Sequence, residues 1–425
     1  MKTYDVIHVG FGPATIFSLL KSPKQNALVL EKGKELSKRD PKEVIYGSGG
    51  AGAFSDSKLV ANPMVGGDIE NICHVPDFYQ LADEILGFYN SFYGYDDKKF
   101  EWLPEDPYEV KSDKLKLLKS RVSHIGTDRS KVVFQNIENY IKTQICPIHF
   151  EEEVTSILDI ETSTEKVFVI KTNEAHYLAK KVVIGVGKRS SLVTDLVDQL
   201  SLESVNNLVQ LGVRLECPNT YMKELVDKFY DFKVVMNSKL GRWRTFCVNS
   251  GAAHVAVEKC SEFVSANGHS YSNKENTGLT NFGLMGELKL DLNREQQIEL
   301  VHKTNMGKNK LLAQNINDFI AGNVSTKLNY KTTVPESEYE LSSLWYYYPE
   351  AVVDELKDFI LELQKTFSLD GHIFAPEVKL TNPLIKMSNK FEIYPNMFLV
   401  GDCSGYSRSI VQSGIIGMVV GEQLI

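Results

Sequence analysis

The first thirty residues place the strongest constraint on what this chain can fold into. A largely apolar run at residues 6–9 ends at Gly10, which is the pattern of a buried strand. The sequence GFGPAT follows at residues 10–15, and apolar residues at helical spacing come next. A second apolar run, residues 27–30, ends at Glu31. Strand, glycine-rich turn, helix and strand form a β-α-β unit, so we predict an α/β fold with a central parallel sheet.

Each residue of the turn has a physical role in binding a dinucleotide. Gly10 permits the tight turn out of the strand, and Gly12 lets a pyrophosphate approach the backbone. Pro13 suits the first helical turn, whose free N–H groups bind phosphate. Glu31 follows about 20 residues later, where an acid binds the ribose 2′-hydroxyl. The third glycine of the motif is replaced by Thr15, and an ordinary glycine-rich turn without a ligand is the alternative.

Length and charge limit the class of protein. At 425 residues the chain is long enough for two or three domains. Its net charge of −8 and its pI of about 5.7 argue against electrostatic binding to nucleic acid or to an anionic membrane surface. No apolar run approaches membrane-spanning length. The first strand begins near Tyr4, which leaves no room for a cleavable signal peptide.

Cysteine usage points to a reducing compartment. The cysteines are Cys73, Cys146, Cys217, Cys247, Cys260 and Cys403. They show neither a CxxC pair nor the spacing of metal ligands. We therefore expect a cytoplasmic protein without a metal site.

Two further glycine-rich segments occur where a two-dinucleotide flavoprotein approaches its cofactor. Residues 47–59, GSGGAGAFSDSKL, hold too many glycines for regular helix or strand. Such a loop lets the backbone lie against a flat or charged ligand, although a flexible surface loop is the alternative. Residues 182–186 form an apolar strand that runs through Gly185 to Gly187. We therefore predict FAD as the cofactor.

The last segment of the chain returns to the same cofactor. Residues 396–402 predict a strand that ends in Gly-Asp, and Asp402 would accept from the ribitol hydroxyls of FAD. Residues 413–421 predict a small-residue helix whose N-terminus points at the pyrimidine edge of the flavin. The predicted cofactor-binding residues are Gly10, Gly12, Pro13, Ala14, Glu31, Lys32, Gly49, Gly50, Ala51, Phe54, Ser55, Lys58, Val154, Gly185, Gly187, Asp402, Ser413, Gly414 and Ile415.

The intervening segments show simpler patterns. Residues 349–367 predict an amphipathic helix, and residues 293–321 look helical throughout. Residues 148–157 predict one strand, and residues 267–269 a turn. The expected domains are a discontinuous FAD-binding domain (1–65, 120–205 and 375–425), an inserted α+β substrate domain (206–374) and a helical insertion (66–119).

Seven short motifs span almost the whole chain. They are residues 10–14, 49–59, 124–128, 212–218, 244–247, 376–383 and 399–406. In this order they resemble the bacterial, largely uncharacterised FAD-dependent dehydrogenase family of the two-dinucleotide-binding flavoprotein superfamily. The resemblance implies FAD, a Rossmann-like, three-layer FAD domain that is discontinuous, and an inserted substrate domain.

Two departures from that family bear on the substrate. The family usually follows RTFC with a second cysteine, but residues 248–252 here read VNSGA, so no dithiol can form. The family's GYAGGI appears as GYSRSI at residues 405–410. Arg408 therefore adds bulk and charge close to where the substrate should bind.

We predict an oxidoreductase, a dehydrogenase in which flavin N5 exchanges hydride with a small organic substrate. Arg408 is the first candidate for binding that substrate, and Arg244 is a second possible carboxylate clamp. The other candidate catalytic residues are Cys247, His254, Glu377 and Tyr406. A buried small hydrophobe is the usual role of a lone cysteine such as Cys247, and a structural role is the alternative for His254.

The electron partner and the reaction class stay open at this point. No second strand-GxGxxG-helix unit for NAD(P)H occurs in the sequence, so substrate would reduce the flavin, with NAD(P)H a possible reductant. A flavin-dependent monooxygenase is one alternative. A non-catalytic, redox-responsive FAD-binding protein is the other.

Overall fold

The computed structural model describes residues 2–40, 46–55, 57–67, 69–71, 76–93, 99–103, 108–161, 166–188, 190–259, 263–270, 275–305 and 307–425. Within these residues the α-helices are α1 (Pro13–Lys21), α2 (Phe78–Ser91), α3 (Thr127–Tyr140), α4 (Leu192–Gln199), α5 (Lys223–Phe229), α6 (Arg294–Thr304), α7 (Ile316–Ala321), α8 (Glu350–Phe367) and α9 (Ile410–Leu424).

The strands fall into a first group before residue 206 and a second group after it. The first group is β1 (Thr3–Val9), β2 (Ala27–Glu31), β3 (Lys58–Ala61), β4 (Lys116–Leu118), β5 (Arg121–His124), β6 (Ile148–Phe150), β7 (Val154–Glu161), β8 (Lys166–Thr172), β9 (His176–Ile184) and β10 (Ser204–Val205). The second group is β11 (Val209–Pro218), β12 (Lys233–Asn237), β13 (Gly241–Asn249), β14 (Ala253–Lys259), β15 (Val264–Ser270), β16 (Leu279–Leu288), β17 (Leu311–Asn315), β18 (Tyr339–Leu341), β19 (His372–Lys379), β20 (Leu384–Ile385), β21 (Glu392–Tyr394) and β22 (Met397–Leu399).

The chain forms two compact units. Unit 1 comprises residues 1–102, 120–205 and 382–425, and unit 2 comprises residues 103–119 and 206–381. Residues 66–119, expected as a separate helical insertion, are divided between the two units. The assignment of the units to FAD and to substrate stays a prediction.

Unit 1 is built on a sheet with the order β21-β22-β9-β1-β2-β6. Strands β22, β9, β1, β2 and β6 run parallel to one another, and β7, β8 and β9 pair antiparallel. The predicted α/β class with a Rossmann-like, mainly parallel central sheet is therefore confirmed.

The sheet of unit 1 is covered on both faces, because side chains alternate along its strands. Val6 of β1 packs in a core with residues of α1, α2, α3 and α9. Ile7 and Val9 point into a second core that contains residues of α4, β7 and β8. Every residue of β2 is buried, as expected of a strand enclosed by two layers.

Unit 2 contains a sheet with the order β18-β17-β19-β11-β16-β13-β12-β4. All its neighbouring pairs are antiparallel except β17 and β18. One face packs on α8, whose residues Val352, Leu356 and Phe359 are fully buried. The hairpin β14–β15 forms a separate two-stranded sheet, which packs against strands of the eight-stranded sheet.

Three sequence predictions of secondary structure were wrong. The single strand expected at residues 148–157 is two strands, β6 and β7, separated by Glu151 with a φ of +57°. Residues 293–321 form α6, β17 and α7 rather than continuous helix. The turn expected at residues 267–269 lies inside β15, where Gly268 provides space, since a Cβ there would lie 2.4 Å from Nη1 of Arg214.

Among the described residues, no helix combines the length and the apolar character that crossing a bilayer requires.

Candidate functional site

The N-terminus of α1 is open on one side. The helix begins at Pro13, directly after Gly12, and no side chain of the described residues caps this end. Gly12 has a φ of −100°, which any residue can adopt, and a Cβ added to it would meet nothing within 4 Å. The N–H groups of the first turn have no intrahelical partner, and a helix end of this kind binds anions.

The glycine-rich segment 47–55 lies directly against this helix end. Gly49 donates its N–H to the Phe11 carbonyl at 2.8 Å. Gly50 is so close that a Cβ on it would lie 3.5 Å from the Cα of Gly12. Gly49 and Gly50 have φ angles of 78° and 61°, a region that favours glycine. Two segments that the sequence associated with phosphate binding are therefore adjacent.

Glu31, at the end of β2, is buried, and its carboxylate accepts hydrogen bonds from three backbone N–H groups. Its Oε2 accepts the N–H of Phe11 at 2.8 Å. Its Oε1 accepts the N–H groups of Gly33 at 2.8 Å and of Gly47 at 3.0 Å. Because a carboxylate has about four lone-pair sites, these three hydrogen bonds leave Glu31 one unused acceptor position.

The two later glycine segments reach the same region. A Cβ on Gly10 would lie 2.5 Å from the carbonyl oxygen of Gly185. Gly187 has a φ of 70°, and a Cβ on it would meet nothing within 4 Å. Gly401 lies beside α1, since a Cβ on it would be 3.3 Å from that of Ala14. The segments that sequence analysis took from distant parts of the chain are thus gathered around α1.

Asp402 and Cys403 follow in a 3-10 helix, Gly401–Ser404. Asp402 is half-buried, and its Oδ2 lies 3.8 Å from Nζ of Lys188. Cys403 is fully buried, and burial raises the pKa of its thiol to about 12. The Cys403 thiol is therefore protonated and unreactive at neutral pH.

The last helix begins earlier than the sequence predicted. α9 starts at Ile410 rather than near residue 413, and Ser409 caps it by accepting the N–H of Gln412 at 3.1 Å. The N-terminal turn therefore contains residues 410–412. Sequence analysis missed Ser409 because the small-residue pattern that predicts the helix begins only at residue 413.

Ser413, Gly414 and Ile415 consequently lie inside α9 and not at its N-terminus. The Ser413 hydroxyl is 3.0 Å from that of Ser407. A Cβ on Gly414 would lie 2.9 Å from the ring of Phe17, and Ile415 is fully buried. Gly414 and Ile415 therefore serve helix packing in this structure, and their predicted cofactor contacts stay untested.

Gln412 fixes a loop against the start of α9. Its Nε2 donates to the carbonyl oxygens of Asn62, Pro63 and Val65 at 3.2, 2.9 and 3.0 Å. Sequence analysis missed this residue. The available signal was a glutamine within an otherwise small and apolar helix, because a buried amide must find hydrogen-bond partners.

Arg408 and Tyr406 lie in the segment before α9, and both are half-buried. The N–H of Arg408 donates to the carbonyl of Gly66. The N–H of Tyr406 donates to the Ser404 hydroxyl at 3.2 Å. These backbone contacts hold in place the segment that carries two of the candidate catalytic side chains.

Four other predicted cofactor-binding residues border the loop or β2. Lys32 is exposed, and its Nζ lies 3.5 Å from Oε1 of Glu153. Ala51 is exposed, and Phe54 is half-buried. The Ser55 hydroxyl donates to the carbonyl of Gly52 at 2.9 Å, which closes the short 3-10 helix of the loop.

Lys58 and Val154 both begin strands of unit 1. Lys58 starts β3 and is half-buried, opposite His124 of β5. Val154 starts β7 and is buried, paired with Thr172 of β8. Their predicted contacts with the cofactor stay predictions.

Arg39 supports the glycine-rich loop and was also missed. Its Nη1 donates to the carbonyl oxygens of Ser48 at 2.6 Å and Gly50 at 2.9 Å. Its guanidinium lies 4.3 Å from the centre of the Phe54 ring. Arg39 stands in the polar segment KELSKRD, where nothing distinguishes it from its charged neighbours.

Cys247 and His254, two further candidates, belong to unit 2. Cys247 is half-buried at a bulge of β13, with a φ of 47°. Its carbonyl accepts from Nη1 of Arg214 and from Nδ2 of Asn249, both at 2.9 Å. His254 is half-buried in β14. The candidate residues are therefore distributed over both units.

Arg214 and Glu377 form an ion pair with no exposed surface. Nε and Nη2 of Arg214 donate to the two carboxylate oxygens at 2.8 and 2.6 Å. Burial alone would lower the pKa of Arg214, but the Glu377 carboxylate raises it above its ordinary value. Since both oxygens of Glu377 accept from the guanidinium, this carboxylate is not a candidate proton acceptor.

The residues around α1 fit a dinucleotide. An added Cβ at Gly12 or at Gly187 would meet nothing within 4 Å, so both positions leave space beside the backbone. The uncapped helix end offers N–H donors for phosphate, and Glu31 retains one acceptor for a ribose. These are the contacts that the pyrophosphate and adenosine parts of FAD require.

Comparison with known proteins gives distant similarities. No model of a known protein family matches the sequence. An uncharacterized protein of Clostridium beijerinckii is 25% identical, and the similarity covers 98% of this chain and 80% of that protein. At this identity the dehydrogenase family suggested by the sequence motifs stays a prediction.

Comparison with solved structures gives matches at low TM-score. A geranylgeranyl bacteriochlorophyll reductase-like protein of Thermoplasma acidophilum has a TM-score of 0.41 and 12% identity, covering 100% of this chain and 78% of that one. The p-nitrophenol 4-monooxygenase of Pseudomonas putida has a TM-score of 0.42 and 12% identity, covering 100% and 80%. Similarity at this level does not assign an activity to the chain.

Proposed function

We propose that the chain is an FAD-dependent oxidoreductase, a dehydrogenase in which flavin N5 exchanges hydride with a small organic substrate. One observation carries the proposal. Gly12, at the uncapped start of α1, has free space where a side chain would be, and Gly50 and Phe11 lie directly beside it. A packed α/β core has no use for such a gap, whereas a pyrophosphate at a helix N-terminus needs it.

Residues of unit 1 would hold the cofactor by three kinds of contact. The first-turn N–H groups of α1 would bind the phosphates, and the free position on Glu31 would accept a ribose hydroxyl. The N–H groups at the start of α9 would favour negative charge on the flavin ring. Bound FAD would supply the acceptor and donor of hydride, and the protein would supply binding and orientation.

The candidate side chains would bind the substrate and move the proton that accompanies hydride transfer. Arg408 would bind a negatively charged group of the substrate, because its backbone N–H is bonded to Gly66 while the residue is only half-buried. Tyr406, Cys247 and His254 are the candidates for moving the proton that accompanies hydride transfer. Cys403 is excluded from that role by its burial.

The test of the cofactor site is a Gly12→Ala variant. The added methyl group meets no protein atom within 4 Å, so the fold should tolerate it at the cost of a weaker helix cap, at most about 1 kcal/mol. The same methyl would occupy the space assigned to the pyrophosphate. We expect at least a tenfold loss of FAD affinity, measured by calorimetric titration of flavin-free protein.

Gly87→Ala is the matched control. Gly87 lies in α2, and a Cβ on it also meets nothing within 4 Å. This variant should bind FAD as the unaltered protein does. If purified protein shows no flavin absorbance and binds no added FAD, the proposal is wrong. Equal FAD affinity in the two variants would remove α1 from the site.

The electron donor is settled by a second measurement. FAD-loaded protein is titrated anaerobically with NADH and then with NADPH while the flavin absorbance is recorded. Rapid bleaching identifies a nicotinamide as the reductant. Persistent flavin bands, followed by bleaching with an organic substrate, identify the substrate as the reductant, as the sequence predicts.

A further inference from the structure

We propose that the sheet of unit 2 carries a binding site for a small organic anion with a flat apolar body, formed by Phe246, Arg244 and Lys379. The inference names the substrate class of the proposed oxidoreductase and so rests on that function. The site itself lies wholly within unit 2. Its residues come from two strands of one sheet, β13 and β19, between which β16 and β11 lie.

The three residues share the face of the sheet opposite to α8. On β13, Trp243 packs in the core with α8. Because side chains alternate along a strand, Arg244 and Phe246 both point to the other face. On β19, Val378 belongs to that same core, and Lys379 therefore points away from it. Strand alternation thus places two cations and an aromatic ring on one surface.

Phe246 is the apolar centre of this surface. It is half-buried, and the guanidinium of Arg244 lies 4.8 Å from the centre of its ring. The ammonium groups of Lys233 and Lys379 are each 5.9 Å from the same centre. Gly283 lies opposite Phe246 on β16, and the Glu377 carboxylate fills the space above it, since a Cβ on Gly283 would lie 2.8 Å from Oε2 of Glu377. A flat group that stacks on the exposed part of the Phe246 ring would lie within reach of positive charge.

Arg244 is the second cation beside the Glu287 carboxylate, which Arg242 already binds. Glu287 accepts from Nε and Nη2 of Arg242 at 2.9 and 2.6 Å, and from Gln210 at 3.1 Å. Arg244 reaches Glu287 only through Nε, at 3.2 Å. This nitrogen is buried and has no hydrogen-bond partner among the described residues, and Nη1 and Nη2 donate no hydrogen bond to them either, although the residue is only 8% exposed. This leaves a guanidinium edge available to an incoming anion.

Lys379 repeats this arrangement on the neighbouring carboxylate. Glu377 is neutralised by its two hydrogen bonds from Arg214. Nζ of Lys379 lies 4.0 Å from Oε1 of Glu377, beyond hydrogen-bond distance, and the side chain is 21% exposed. Each of the two carboxylates thus has a strongly bonded arginine and a loosely associated second cation. The excess positive charge lies beside Phe246, where a carboxylate attached to a flat group would be bound.

The experiment measures binding of benzoate to the full-length protein by isothermal calorimetry and ligand-observed NMR, which need no flavin signal. Benzamide, its uncharged isostere, is the comparison. We expect benzoate to bind and benzamide to bind at least tenfold more weakly. Arg244→Gln and Lys379→Gln should each weaken benzoate binding about tenfold or more, since each removes one charge-assisted contact.

Lys289→Gln is the matched control, because it removes one positive charge from an exposed position of unit 2. It should leave benzoate binding unchanged. Absence of benzoate binding, equal binding of benzamide, or an equal loss in Lys289→Gln and Lys379→Gln would each overturn the inference. Should Arg244→Gln fail to fold, the accessible Lys379 decides the outcome.

The two proposals fail separately. Protein that binds FAD but not benzoate refutes the anion site and leaves the proposed oxidoreductase intact. Protein that binds no FAD, yet binds benzoate in a manner that depends on Arg244 and Lys379, refutes the oxidoreductase and retains the anion site.

Discussion

His8 makes the stability of unit 1 depend on pH. It lies in the middle of β1 and is fully buried. Its Nε2 is 3.2 Å from the hydroxyl of Ser18, and its Nδ1 has no hydrogen-bond partner among the described residues. Burial lowers the pKa of His8 to about 3, because the imidazolium would lose its hydration inside the core.

The size of the effect follows from the two protonation equilibria. In the unfolded chain the pKa of His8 is about 6.5, so below that pH the unfolded state binds a proton that the folded state refuses. Stability is therefore unaffected above pH 6.5 and is lost as the pH falls from about 6.5 toward 3. At about 1.4 kcal/mol for each pH unit, acidification from pH 7 to pH 5 costs about 2 kcal/mol.

The prediction is tested with His8→Gln, which keeps a polar side chain beside Ser18 but does not titrate. Hydrogen exchange of β1 peptides, followed against urea at pH 7 and pH 5, gives the unfolding free energy of this region. We expect the unaltered protein to lose about 2 kcal/mol more than the variant over this interval. The exposed His302, replaced in the same way, should leave the pH dependence unchanged. Equal losses in His8→Gln and in the unaltered protein would refute the buried, neutral state of His8.

Three further changes have defined outcomes in urea unfolding of the purified variants. Gly417→Ala should lower the unfolding free energy by about 1–3 kcal/mol, because its Cβ would lie 2.1 Å from the carbonyl oxygen of Ala14; an unchanged value would contradict the close packing of α1 and α9. Thr15→Val should raise it by about 1 kcal/mol, since the buried Thr15 hydroxyl has no partner among the described residues, and a loss would mean that the hydroxyl is bonded. Glu377→Gln should lower it by about 3–5 kcal/mol by leaving Arg214 buried without its counter-charge, and a loss under 1 kcal/mol would count against that ion pair.

The parts of the fold that could be predicted from sequence are those with local patterns. The β-α-β unit combines apolar runs, glycines and Pro13 within thirty residues, and β1, α1 and β2 lie where these patterns indicate. The helix at residues 349–367 carries its own amphipathic pattern and corresponds to α8, Glu350–Phe367. In both cases the residues that define the element are its own.

The errors occurred where a distant part of the chain decides the structure. Residues 311–315 form β17 because β19 pairs with them, and nothing in LLAQN itself excludes helix. Gly268 resembles a turn residue, but its role is to leave room for Arg214, more than fifty residues earlier in the chain. Arg39 and Gln412 were missed in the candidate site because their function is to bond backbone carbonyls of other segments. Contacts of this kind leave no periodic trace in the sequence.

The last strands and the last helix of unit 1 are synthesised after residues 206–381 of unit 2, and this order affects folding during synthesis. Strand β9 cannot pair with β22, and α1 cannot pack on α9, until residues 206–381 have left the ribosome. During that interval the apolar side of α1 that Gly414 and Gly417 later cover, including Phe17, has no permanent neighbour from α9. A nascent chain with such a surface is a substrate for chaperones and is prone to aggregation.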